Sequence, residues 1–169
     1  MTTTSNTCKL LISTLLVLIA SATQAQQSTL IFATEEPVLV EPTATDSIIV
    51  EAKKYIGTPY KWGGKSPSGF DCAGFTRYIY SKFGYLLAPS APGQVREGQK
   101  VTTTNLQPGD LVFYGGSRNK QAVGHVGIVT TVDDNGFSFI HASNKGVLIS
   151  TSNEPYYKSR YICARRILN

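Results

Sequence analysis

The chain has 169 residues, with 16 Lys and Arg against 11 Asp and Glu, 41% hydrophobic residues and 15 glycines. That length holds one domain and excludes a second large one. Ordinary apolar content with a modest charged fraction excludes a disordered, collagen-like or coiled-coil chain.

Lys9 precedes an apolar run from Leu10 to Ala20, followed by small residues and Ala25-Gln26-Gln27. This is the layout of a secretory signal peptide cleaved after Ala25, so residues 1–25 are expected to be removed. The run is shorter than the roughly 20 apolar residues of a spanning helix, so no stable membrane insertion is expected after cleavage. Cys8 lies ahead of the run and leaves with it. The mature protein is expected to be exported, either periplasmic or secreted.

Residues 26–45 mix Gln, Thr, Glu and Pro without periodicity and read as a tether or loosely docked arm, which leaves 46–169 as the folded domain. From residue 51 onward there are fifteen Lys plus Arg against seven Asp plus Glu, a balance of +8. A basic domain attracts polyanions. The basic residues are scattered and the chain is read as exported, so an anionic cell envelope fits as partner and nucleic acid does not.

Asp46 is a candidate helix N-cap. Ile48, Ile49, Ala52, Tyr55 and Ile56 follow at helical spacing up to Gly57. A turn-rich loop from Gly57 to Gly69 leads to a second helix beginning at Asp71 or Cys72 and closing at Gly84, with Phe75, Tyr78, Ile79 and Phe83 on one face. A short helix is expected around Gly93 to Glu97. After Pro108-Gly109 the texture becomes β, with strands predicted at 111–114, 125–132, 137–142, 147–151 and 161–167. Asp133-Asp134-Asn135-Gly136 reads as a hairpin turn. Helices followed by consecutive strands predict an α+β domain with an antiparallel sheet.

Once the leader is removed, Cys72 and Cys163 remain. Export permits a disulfide between them, but Cys163 sits in an apolar strand-like run where a thiol packs as a small hydrophobe. Cys72 sits at a predicted helix start, where the dipole and unpaired N–H groups favour the thiolate. The two histidines, His125 and His141, fall at the start of one predicted strand and the end of the next. A hairpin at 133–136 brings those two ends together. A nucleophile on a helix tip, a base on a strand and a third group holding the base is what nucleophilic catalysis requires. Cys72 is then the nucleophile, His125 the base and His141 its orienter. No paired C-x-x-C or H-x-x-x-H spacing supports a metal site, and Trp62-Gly63-Gly64 lacks the pattern of a phosphate loop.

Five segments, GTPYKWGGKSPSGFDCAGF, LQPGDLVFYGG, GHVGIV, FIHAS and SRYICARRI, occur in an order that resembles the NlpC-type (NlpC/p-sixty) cysteine peptidases of bacterial cell walls. The likeness covers roughly residues 47–167. It implies a papain-like fold, with N-terminal helices packed on a central antiparallel sheet, and a triad at Cys72, His125 and His141. It also implies a site tyrosine at Tyr60, and at Asp71 an acid that either contacts substrate or caps the helix. Enzymes of this kind hydrolyse the bond between D-γ-glutamate and a diamino acid in peptidoglycan peptides without a cofactor, which makes peptidoglycan or muropeptides the expected substrate. Where the family commonly has Ser after the nucleophile, this chain has Ala73. An upstream Arg and Ser are replaced by Pro89 and Ala91. An N-acetylmuramoyl-L-alanine amidase and a non-catalytic wall-binding module are the alternatives.

Overall fold

The computed structural model describes residues 43–168. The expected signal peptide and residues 26–42 of the expected arm lie outside the described residues.

Helix α1 spans Ala44–Lys53. Its cap is Thr43 rather than Asp46: the Thr43 hydroxyl accepts from the Asp46 N–H, and the Asp46 carboxylate reaches back to the Thr43 N–H. Asp46 is therefore the third helical residue of a capping box, and helix replaces the last two residues of the expected arm. Ile48, Ile49 and Ala52 form the buried face of α1.

The loop after α1 contains a two-stranded hairpin that the sequence did not announce, β1 (Lys65–Ser66) and β2 (Gly69–Phe70). Helix α2 spans Cys72–Ser81, as predicted at its start, and buries Phe75, Thr76, Ile79 and Tyr80. Helix α3, Ala91–Gln94, begins two residues before its predicted place because the Ser90 hydroxyl caps it and Pro92 suits its first turn.

Gln94 explains why this short helix matters. Its fully buried side chain donates to the carbonyls of Ala73 (3.0 Å) and Ala88 (2.9 Å) and accepts from Thr76 Oγ1 (2.7 Å). It thereby anchors the first turn of α2, which carries Cys72.

The predicted strands appear with margins of one to two residues: β4 (Leu111–Gly115), β5 (Val123–Asp133), β6 (Gly136–Ser143), β7 (Gly146–Thr151) and β8 (Tyr161–Arg166). They are preceded by a short β3 (Gln99–Val101) that had not been foreseen. The order is β3-β8-β4-β5-β6-β7, every neighbour antiparallel.

Alternation along the strands gives the sheet two apolar faces. Leu111, Phe113, Val126, Ile128, Ile140 and Ala142 pack with α1 and α2. Val112, Tyr114, Val129, Phe139 and Ala164 pack with Tyr157 from a one-turn helix α4 (Pro155–Lys158). Asp110, buried ahead of β4, accepts both Nε and Nη2 of Arg166 at 2.8 Å and the Gln107 N–H at 2.8 Å, tying the last strand to the sheet centre.

Candidate active site

Cys72 is the first residue of α2 and carries a free thiol, as does Cys163. Asp71 is the N-cap: Oδ1 accepts from Gly74 N–H (2.6 Å) and Oδ2 from Gly63 N–H (3.0 Å). Of the two roles open to Asp71, the structure shows the cap. The same turn needs glycine at 74, because a Cβ there would lie 2.0 Å from the Gly64 carbonyl oxygen. The loop and the start of α2 therefore touch backbone to backbone.

The backbone N–H groups of Val126, Ala73 and Cys72 itself are near enough to the Cys72 sulfur to favour its charged form. Val126 follows His125 on β5, so the sulfur lies beside that strand one residue beyond the histidine. The thiol makes no hydrogen bond to His125 itself, whose partner is His141. Burial and then the Asp71 carboxylate push the thiol up to about 11, against the pull of the three N–H groups. The pull of the helix tip toward the thiolate thus does not outweigh desolvation, which favours the neutral thiol.

His125 and His141 meet as the hairpin predicts. Ile128 pairs with Ile140, which sets the two histidines as same-face diagonal neighbours. Their rings lie edge to face with centroids 4.9 Å apart, and His125 Nε2 is 2.9 Å from His141 Nδ1. Burial lowers His125 to about 4. Burial and then the charge of His125 lower His141 to about 3. Both imidazoles are neutral at neutral pH, and the bond between them is one N–H donated to one lone pair.

Behind the pair stands Tyr157, 8% exposed, whose hydroxyl is 3.3 Å from His141 Nε2. Its ring meets His141 edge-on at 5.3 Å and Phe139 edge-on at 4.9 Å. Sequence reasoning missed this residue. Pro155 hints at a helix start, but nothing in the Tyr156-Tyr157 pair tells which ring turns inward.

A cleft of about 620 Å³ opens over His125. Tyr60 and Trp62 line it from the α1–α2 loop, Lys145 from the β6–β7 turn, Glu154 from the N-cap of α4, and Tyr156 and Tyr157 from α4 itself. Trp62 is 88% exposed. Cys72 is not among the lining residues; Tyr60 connects it to the cleft. Burial, then the charges of Cys72 and Asp71, push the Tyr60 hydroxyl upward, so it keeps its proton and remains a donor. The arrangement can deliver a sulfur nucleophile, a neutral imidazole and several N–H and O–H donors to one carbonyl.

The NlpC/P60 family model matches residues 57–166. A relative described as murein DD-endopeptidase MepS/murein LD-carboxypeptidase, from Escherichia coli (strain K12), is 42% identical over 116 residues, covering 67% of this chain and 57% of that protein. A gamma-D-glutamyl-L-lysine dipeptidyl-peptidase of Bacillus cereus (strain ATCC 10987 / NRS 248) is 36% identical over 125 residues, covering 74% of this chain and 37% of that protein. The crystal structure of an NlpC/P60 family protein from Bacillus cereus ATCC 10987 superposes with a TM-score of 0.67 at 36% identity, covering 77% of this chain and 42% of that one. This chain spans less than two thirds of the length of the curated relatives it matches.

Proposed function

We propose that this chain, which belongs to the NlpC/P60 family, is a peptidoglycan hydrolase that cuts cell-wall stem peptides at the bond between D-γ-glutamate and a diamino acid, with Cys72 as nucleophile. The observation that carries this reading is the 2.9 Å contact between His125 Nε2 and His141 Nδ1, which engages the far nitrogen of His125 and leaves its Nδ1 without that partner. The Cys72 sulfur beside the Val126 N–H puts the proton donor next to that strand position.

The neutral pair defines the order of events. Attack of the Cys72 sulfur on the carbonyl carbon forms the C–S bond as its proton passes to His125 Nδ1. The charged imidazolium exists only while the tetrahedral oxyanion does. First-turn N–H groups of a helix have no intrahelical acceptor, so those of Cys72 and Ala73 are available to that oxyanion. The Tyr60 hydroxyl offers a further donor from the cleft wall. Collapse expels the amine, which takes the proton back from His125, and water then releases the acyl group under the same base.

Export through the 1–25 leader supports an extracytoplasmic site of action, and among the described residues no helix is long and apolar enough to cross a membrane. The Bacillus cereus relative, a γ-D-glutamyl-L-lysine dipeptidyl-peptidase, supports the γ-glutamyl bond, whereas the Escherichia coli relative is a DD-endopeptidase and LD-carboxypeptidase.

The deciding experiment incubates defined muropeptides, with and without the disaccharide, with the mature protein and its Cys72→Ala variant, and reads products by mass spectrometry. A Cys72-dependent cut between D-glutamate and the diamino acid is expected. Cleavage at the DD crosslink reassigns the bond, sugar release makes the protein an amidase, and cleavage that survives in Cys72→Ala sinks the mechanism.

A further inference from the structure

The His125–His141 pair leaves one question of direction, and the answer lies on α4. A neutral imidazole has a single N–H. If His141 carries its proton on Nδ1, it donates to His125 Nε2, and the His125 proton is displaced to Nδ1, where it blocks uptake of the thiol proton. If His141 carries it on Nε2, Nδ1 is a free acceptor, His125 donates from Nε2, and His125 Nδ1 is open.

The outer nitrogen of His141 faces the Tyr157 hydroxyl at 3.3 Å, and no other hydrogen-bond partner reaches it among the described residues. A tyrosine hydroxyl can donate or accept, so its own proton must be placed elsewhere for it to act as acceptor. Tyr157 also borders the cleft over His125, toward which its own O–H can turn. Packing holds the ring in position: it is edge-on to Tyr114 at 5.2 Å as well as to His141 and Phe139.

We propose that Tyr157 is a positioning residue that accepts the Nε2–H of His141 and so sets the direction of the His141–His125 hydrogen bond, keeping His125 Nδ1 unprotonated for Cys72. It acts through His141 rather than on the reacting atoms, although its ring also borders the cleft. Its residue type and its helix lie outside the motifs that carry the resemblance. The proposal rests on the peptidase reading for its kinetic consequence, but its structural content stands apart from it.

Tyr157→Phe removes the acceptor and keeps the ring contacts. Nitrogen NMR of histidine-labelled protein should show His141 as the Nε2–H form in the parent and a shift toward the Nδ1–H form in Tyr157→Phe. With a muropeptide substrate, kcat should fall by about tenfold, the scale of one neutral hydrogen bond, with KM unchanged. In a His141→Asn background the side-chain oxygen accepts from His125 whatever its neighbour does, so Tyr157→Phe should add no further loss.

An unchanged His141 tautomer in Tyr157→Phe, or an equal loss in both backgrounds, overturns the proposal. If no substrate is cut at all, the peptidase reading fails while the NMR result still decides the role of Tyr157.

Discussion

Gly127 and His141 face each other across the β5–β6 ladder so closely that a Cβ at residue 127 would lie 3.1 Å from the His141 Cβ and 2.6 Å from the Phe139 ring. The glycine is therefore a space requirement of the histidine pair. Its own conformation needs no left-handed backbone.

Gly127→Ala should displace the His141 ring and break the 2.9 Å bond to His125. Overpacking of this kind costs about 1–3 kcal/mol of stability. Because the lost geometry belongs to the proposed base, activity should fall by more than tenfold at a temperature where the variant is still folded. Thermal melts alongside muropeptide hydrolysis check this; full activity in a destabilised protein contradicts it.

The thiol prediction follows from burial. With Cys72 raised to about 11 from the ordinary value of 9.0, its alkylation by iodoacetamide should be slow at neutral pH and still rising above pH 9. Asp71→Asn keeps a capping oxygen and removes the second cause of the rise, so its profile should shift to lower pH. A rate plateau near neutrality in the parent would show the thiolate preformed and reverse the proposed order of proton transfer.

Acid should destabilise the fold through the histidines. Each is lowered in the folded state, from 6.5 to about 4 for His125 and about 3 for His141. Between those values the unfolded chain binds more protons than the folded one, so stability is fully present above about 6.5 and falls as pH drops toward 4. The slope approaches about 1.4 kcal/mol per pH unit for each histidine. Guanidinium unfolding near neutrality and at about pH 5 should show a larger loss for the parent than for His141→Gln; equal losses would place the titration elsewhere.

Gln94→Ala strips the buried link between α3 and the first turn of α2 and leaves the Ala73 and Ala88 carbonyls without that donor. Such buried groups cost about 1–3 kcal/mol when orphaned. The loss should appear in denaturant midpoints and be matched by weaker activity, since the anchored turn carries Cys72. A variant as stable as the parent would mean that water replaces the amide.

Much of this protein was written locally. The start of α2 at Cys72, the hairpin turn at 133–136 and the convergence of His125 with His141 follow from periodicity, capping chemistry and strand alternation, which act over a few residues. The family could be read from motif order for the same reason. Other features are set by residues distant in the chain. β3 is too short to be announced by its residues and exists because β8 offers it a ladder. Tyr157 reaches His141 only because α4 lies against the second face of the sheet. The charge state of the site was also a tertiary decision. A helix-tip cysteine alone favours the thiolate, but that preference is a local dipole effect of modest size. Desolvation depends on everything folded around the sulfur, and here it prevails.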